Sequence, residues 1–256
     1  MPAPMMPEPT IPTRLIVMVS RLGLRPRDRP PRLSAMTGVL ALVGGGEWQD
    51  GCDFDRELLA AAGGAEVLVL PTAAAYEHPG RLVEQATEWF AALGSRARGL
   101  MVLSRPDAED EANVAAVRES AFTYMAGSSP MHLRSVLKDS SLWQALEAAW
   151  DEGGVLAASS AGAMVLCDPM VDPRGGAFTV GLGLVSQLAF VPHHDTWSPD
   201  KARRTIELAP RGVPIVAVDE RTALVRQPDG AWDVQGAGSA AVFVDGQSAG
   251  LDSLPG

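Results

Sequence analysis

The sequence is short of cysteine, of aromatics and of positive charge, and each shortage removes a class of protein. Cys52 and Cys167 are the only cysteines in 256 residues, so a disulfide framework is not expected and a reducing, cytoplasmic setting is. Lys and Arg number 21 against 31 Asp and Glu, a formal charge of −10. A surface of that sign repels a phosphate backbone, so no nucleic-acid partner is expected. No apolar run is long enough to cross a bilayer, so no membrane partner is expected either. What is abundant is small and aliphatic: 46% of residues are hydrophobic but only 5% aromatic. A chain of this length and apolar content can bury one large core.

The first 36 residues read differently from the rest. They are rich in proline and carry Arg14, Arg21, Arg25, Arg27, Arg29 and Arg32 against Glu8 and Asp28. Their apolar patch, Leu15 to Val19, is shorter than a secretory core segment. Residues 1–36 are therefore expected to be a disordered extension, and residues 37–256 a single α/β domain.

From Gly38 onward, short apolar runs alternate with helical patterns. The runs are Gly38 to Val43, Glu66 to Leu70, Gly99 to Leu103, Phe122 to Ala126 and Val155 to Ala158. Between them, Asp53 to Ala62 reads as a helix stopped by Gly63-Gly64. Leu82, Val83, Ala86, Trp89, Phe90 and Leu93 recur at helical spacing up to Gly94. Asp110 to Glu119 and Leu142 to Trp150 complete the set. Strands apolar on both faces and separated by helices form a mostly parallel, doubly wound sheet with helices on both faces. Ala223 to Arg226, Trp232 to Gln235 and Ala241 to Val244 read instead as a C-terminal antiparallel meander.

Active sites in such sheets lie beyond the carboxyl ends of the strands. One of those ends is Ala158-Ser159-Ser160-Ala161-Gly162. It is close to Gly-x-Ser-x-Gly, the sharp strand-to-helix turn that presents a serine nucleophile, with alanine in the first glycine position. Ser160 occupies the nucleophile slot, and Ser159 should point away from it. The competing reading is a serine N-cap on a buried helix.

A serine nucleophile needs a base and a group that orients the base. Of the four histidines, His78 reads as a loop residue before Pro79, and His132 lies at a helix start. His193 and His194 stand at the end of an apolar segment with Asp195 behind them. Such a cluster could bind a metal, but no second cluster completes a ligand set, so no metal is expected. Gly44-Gly45-Gly46-Glu47 lacks the last glycine of a dinucleotide fingerprint and the lysine of a phosphate loop. It reads as a close-approach loop on the same rim, and no cofactor is expected.

Ser160-Ala161-Gly162-Ala163, Gly181-Leu182-Gly183-Leu184, Pro192-His193 and Val218-Asp219-Glu220 with Thr222-Ala223-Leu224 together resemble the dipeptidase E and cyanophycinase family of serine peptidases. The resemblance runs from about Gly38 to Gly246. It implies a class I glutamine amidotransferase-like fold, with Ser160 as nucleophile and His193 as base. For the acid it points first to Glu220, with Asp219 and Asp172 as rivals. It implies an oxyanion hole formed by the Ala161 N–H and by Gly127 or Ser128. The family's preference for aspartyl peptides makes Arg174 and Arg221 candidates for binding a substrate carboxylate. Arg221 stands where cyanophycinases tend to have an acid, which counts against cyanophycin as substrate.

The expected function is thus a serine hydrolase that cleaves a small peptide or amide through an acyl-enzyme on Ser160. Departures at Ala126, Ala158 and Arg221 keep open a non-catalytic binding protein on the same fold, and an amidase or esterase acting on a non-peptide substrate. A homodimer is compatible with either.

Overall fold

The computed structural model describes residues 37–256 apart from residues 174 and 175. The expected extension over 1–36 lies outside the described residues, and so does Arg174. The chain runs through β1 (Leu40–Val43), α1 (Phe54–Ala61), β2 (Val67–Leu70), α2 (Pro79–Ala92), β3 (Ala97–Gly99), α3 (Glu111–Arg118) and β4 (Phe122–Met125). Then follow α4 (Pro130–Leu137), α5 (Ser141–Asp151), β5 (Val155–Ser159) and α6 (Ala161–Leu166). Four short strands come next: β6 (Cys167–Asp168), β7 (Met170–Val171), β8 (Phe178–Thr179) and β9 (Val185–Ser186). The chain ends with β10 (Ala189–Val191), α7 (Pro199–Glu207), β11 (Ile215–Val218), β12 (Thr222–Arg226), β13 (Trp232–Gly236), β14 (Ala240–Val244) and β15 (Gln247–Ala249).

The central sheet has seven strands in the order β13-β12-β1-β5-β4-β2-β3. Its last five members are parallel, and β12 and β13 extend it antiparallel beside β1. Because side chains alternate along a strand, each apolar strand supplies two cores. Leu40, Leu42, Leu68, Leu70, Met125, Leu156 and Ala158 enter one, with residues of α3 to α6. Ala41, Val43, Val67, Val69, Phe122, Tyr124, Val155 and Ala157 enter the other, under α1 and α2. There Phe90 of α2 meets Phe122 and Tyr124 edge-on, with ring centroids 6.0 and 6.3 Å apart. Burial of each such ring contributes about 1.5–3 kcal/mol.

The helices begin where local chemistry dictates. Asp110 accepts hydrogen bonds from the Ala112 and Asn113 amides at the start of α3, and Ser140 from the Trp143 amide at the start of α5. Proline opens α2, α4 and α7. Among the described residues, no helix is long and apolar enough to cross a membrane.

Two sequence expectations need correction. The third strand is Ala97–Gly99 rather than the apolar run after it. The Leu100 amide still bonds Val69, but the Val102 amide turns back to the Leu100 carbonyl and the chain leaves the sheet edge. The meander also divides. β12 and β13 form the expected hairpin, but β14 crosses to a second sheet of order β10-β11-β14-β15. The all-buried strand β11 (IVAV) takes a partner on each edge, β10 parallel and β14 antiparallel.

Candidate active site

The ends of β1, β4, β5, β10 and β11 converge on one rim. At the β5–α6 turn, Ser160 has φ 49° and ψ −107°, a conformation that non-glycine residues rarely adopt and that persists only when its surroundings hold it. His193 follows Pro192 beyond β10 with a left-handed backbone at φ 54° and ψ 38°. Glu220 lies two residues past β11, and Arg221 beside it also has positive φ, 56°. Three strained residues at one rim mark a site over-determined by its frame.

Their side chains form a continuous relay. The Ser160 Oγ lies 2.8 Å from His193 Nε2, and His193 Nδ1 lies 2.8 Å from Glu220 Oε1. All three residues are half-buried. The rival acids are engaged elsewhere or set apart. Asp219 Oδ2 accepts from the Ser239 amide and hydroxyl, and its Oδ1 lies 3.4 Å from His194 Nδ1. Asp172 sits between β7 and β8, its amide bonded to the Ala177 carbonyl. His193 and His194 thus turn to different carboxylates, and among the described residues no group of three His, Cys, Asp or Glu is placed to hold a metal ion. The thiols are no rival nucleophiles. Burial pushes Cys52 up to about 11 and Cys167 far above its ordinary value, so neither is ionised near neutrality.

The glycine loop after β1 is the frame. Three successive carbonyls each hold one segment of the relay: Val43 accepts from the Ser160 amide (2.9 Å), Gly44 from His193 (2.7 Å) and Gly45 from Arg221 (2.7 Å). Glycine is required here by contact. A Cβ on Gly44 would lie 2.1 Å from the Asp219 carbonyl oxygen, and one on Gly45 would lie 2.1 Å from His193 Cε1. Gly45 also has φ 114°.

The residues expected to form an oxyanion hole flank the turn. Ala161 opens α6, 1% exposed. A Cβ on the next residue, Gly162, would lie 3.0 Å from the Met125 carbonyl, so the start of α6 packs on the end of β4. Gly127 follows β4 with φ 125°, pressed so close to Ala73 and Ala74 that a Cβ would fall 2.4 Å from the Ala74 amide nitrogen. The Ser128 hydroxyl donates to Glu77 Oε2 at 2.6 Å. Arg221 is exposed, and among the described residues its guanidinium has no ion pair. Ser159 points away from the relay: it is fully buried and its hydroxyl donates to Glu47 Oε2 at 2.7 Å.

Three contributors were not assigned from the sequence. Asp195 Oδ1 accepts from the Glu220 amide at 3.0 Å, Glu47 accepts from Ser159, and Glu77 anchors Ser128. Two of the signals were present but read otherwise, Asp195 within a metal-like cluster and Glu47 within a rim loop, while Glu77 carried no reading. His132 is half-buried, with Nε2 2.9 Å from the Leu103 carbonyl oxygen and its ring 4.9 Å from that of Tyr76.

A sequence model of peptidase family S51 matches residues 40–233. The crystal structure of a peptidase from an acI-B1 Actinobacterium superposes with a TM-score of 0.73, at 29% identity, over 84% of this chain and 98% of that one. A peptidase E-type protein from Listeria monocytogenes EGD-e shares the fold with a TM-score of 0.60, at 18% identity, over 79% of this chain and 99% of its own. No curated protein sequence matches the chain.

Proposed function

Because the chain belongs to peptidase family S51 and is a serine peptidase of the dipeptidase E type, we propose that it cleaves a small peptide or amide through an acyl-enzyme on Ser160. The observation that carries this reading is the relay itself, two 2.8 Å contacts that join Ser160 to His193 and His193 to Glu220. In that order the hydroxyl attacks the substrate carbonyl while His193 Nε2 takes its proton. The same proton then passes to the leaving amine, and a water repeats the sequence to release the acyl group. Glu220 holds Nδ1 protonated, so that Nε2 is free to accept, and stabilises the imidazolium that forms. The Ala161 and Gly127 amides are the donors proposed for the oxyanion. Arg221 is the residue proposed to meet a carboxylate of the substrate, which favours aspartyl-containing peptides.

A fluorophosphonate probe followed by mass-spectrometric site mapping tests the reading. Label is expected on Ser160 alone, abolished in Ser160→Ala and retained in Ser159→Ala. Folded, monodisperse wild-type protein that takes no label would favour a binding protein instead. A panel of dipeptides beside non-peptide esters and amides then distinguishes a peptidase of aspartyl substrates from an esterase or amidase. Loss of any aspartyl preference in Arg221→Ala would support its assignment.

A further inference from the structure

The residue before the nucleophile makes a contact that the relay does not need. Ser159 is wholly buried, and its hydroxyl donates at 2.7 Å to a carboxylate 112 residues away in sequence, Glu47 Oε2. An acid half-buried behind the nucleophile turn is costly to desolvate unless it is hydrogen-bonded, and a bond to a charged acceptor is among the stronger ones. That bond lands on the strand residue from which the strained backbone of Ser160 departs.

Glu47 is itself held in place. Trp48 is 4% exposed, has φ 59°, and sets its ring 5.1 Å from that of Tyr124 on β4. The Gln49 Nε2 and Cys52 Sγ both donate to the Gly46 carbonyl, at 2.8 and 3.4 Å. The positive φ at Trp48 sends one side chain into the core and leaves its neighbour free to reach Ser159. The carboxylate therefore rests on the same loop whose Val43, Gly44 and Gly45 carbonyls hold Ser160, His193 and Arg221.

We infer that Glu47 is a positioning residue for the nucleophile: through the Ser159 hydroxyl it fixes the β5–α6 turn, so that the Ser160 hydroxyl meets His193 Nε2 without reorganisation. The link rests on the reading of Ser160 as nucleophile. It acts on orientation and not on probe binding, so it belongs to the rate of bond formation.

The test uses the full chain and a fluorophosphonate probe, with the labelled residue mapped and the rate measured against probe concentration. Glu47→Ala and Ser159→Ala should each lower the limiting rate of labelling at Ser160 by about tenfold, the worth of one such hydrogen bond. The half-saturating probe concentration should stay the same. The double variant should lose no more than either single variant, since both remove one contact. Glu47→Gln, which keeps a carbonyl oxygen as acceptor, should recover most of the rate. All rates are compared well below each variant's own thermal midpoint, because a link that served stability alone would lower the midpoint and leave the rate of the folded enzyme unchanged. That result would overturn the inference, as would losses that multiply in the double variant or a Glu47→Gln as slow as Glu47→Ala. If Glu47→Ala fails to fold, Ser159→Ala decides alone, since alanine fits a strand end. Absence of label from Ser160 in the wild type would instead overturn the nucleophile assignment, and this inference with it.

Discussion

His193 and His194 are neighbours with the same chemistry, and the turn between them gives them different partners. The left-handed backbone at His193 sends its ring between Ser160 and Glu220, while His194 faces Asp219 at 3.4 Å. His193→Ala should therefore cost roughly three or more orders of magnitude in labelling or turnover, and His194→Ala less than about tenfold; a reversed pair of phenotypes would move the base by one residue. At this scale the sequence was informative where a residue type is chemically demanding and the backbone unusual. A serine between small residues and a histidine after proline at a strand end both carry that signature. It was silent on Glu47 and Asp195, because a carboxylate that accepts a hydrogen bond from a residue 112 or 25 positions away leaves no local pattern. Of the three acids weighed for His193, the sequence put Glu220 first and left Asp219 and Asp172 open. In the structure Glu220 faces His193, while Asp219 turns to Ser239.

Among the elements, the loop after β1 decides whether the relay is aligned. Gly45→Ala would press a methyl group into the His193 ring, 2.1 Å from Cε1. Displacing a catalytic group by about 1 Å can cost on the order of a hundredfold in rate, and that is the loss expected in labelling. Gly63→Ala serves as the control: it too has positive φ, 67°, but nothing lies within 4 Å of its would-be Cβ. Both variants should lose stability from backbone strain, and only Gly45→Ala should lose activity beyond it. Equal labelling rates in the two folded proteins would show that the close approach is immaterial. Strands β1, β2, β4 and β5 were legible because burial on both faces forces a continuous apolar run. The early end of β3 was not, since nothing in Gly99 to Leu103 announces that the chain peels from the edge. Nor was the departure of β14, because alternation identifies a strand without naming its partner.

Seen as a whole molecule, the protein buries a carboxyl that its surroundings keep protonated near neutrality. Asp55 is fully buried, and among the described residues its Oδ1 has no hydrogen-bond partner, while Oδ2 accepts from Trp89 Nε1 at 2.9 Å. Burial pushes its carboxyl up from 3.8 to about 8, partly opposed by the Trp89 bond and reinforced by the charge of Glu47. Between those two values the folded state binds more protons than the unfolded chain, so stability is fullest below pH 3.8 on this account and falls as pH rises toward about 8. Asp55→Asn cannot ionise and should remove that slope. Thermal midpoints across pH should therefore converge or favour the wild type at the acid end, and favour Asp55→Asn at the alkaline end. Parallel curves would show that Asp55 does not titrate in the fold.

The bracket of carbonyls from Val43 to Gly45 also sets a timetable. It closes only against residues that are synthesised much later: Ser160, then His193, then Arg221, with the Thr222 carbonyl on β12 accepting from the Gly44 amide. A chain that stops before Glu220 carries Ser160 and the glycine loop but lacks the carboxylate that faces His193 and the Arg221 amide that bonds Gly45. The frame around Ser160 and His193 is therefore complete only when β12 seats beside β1.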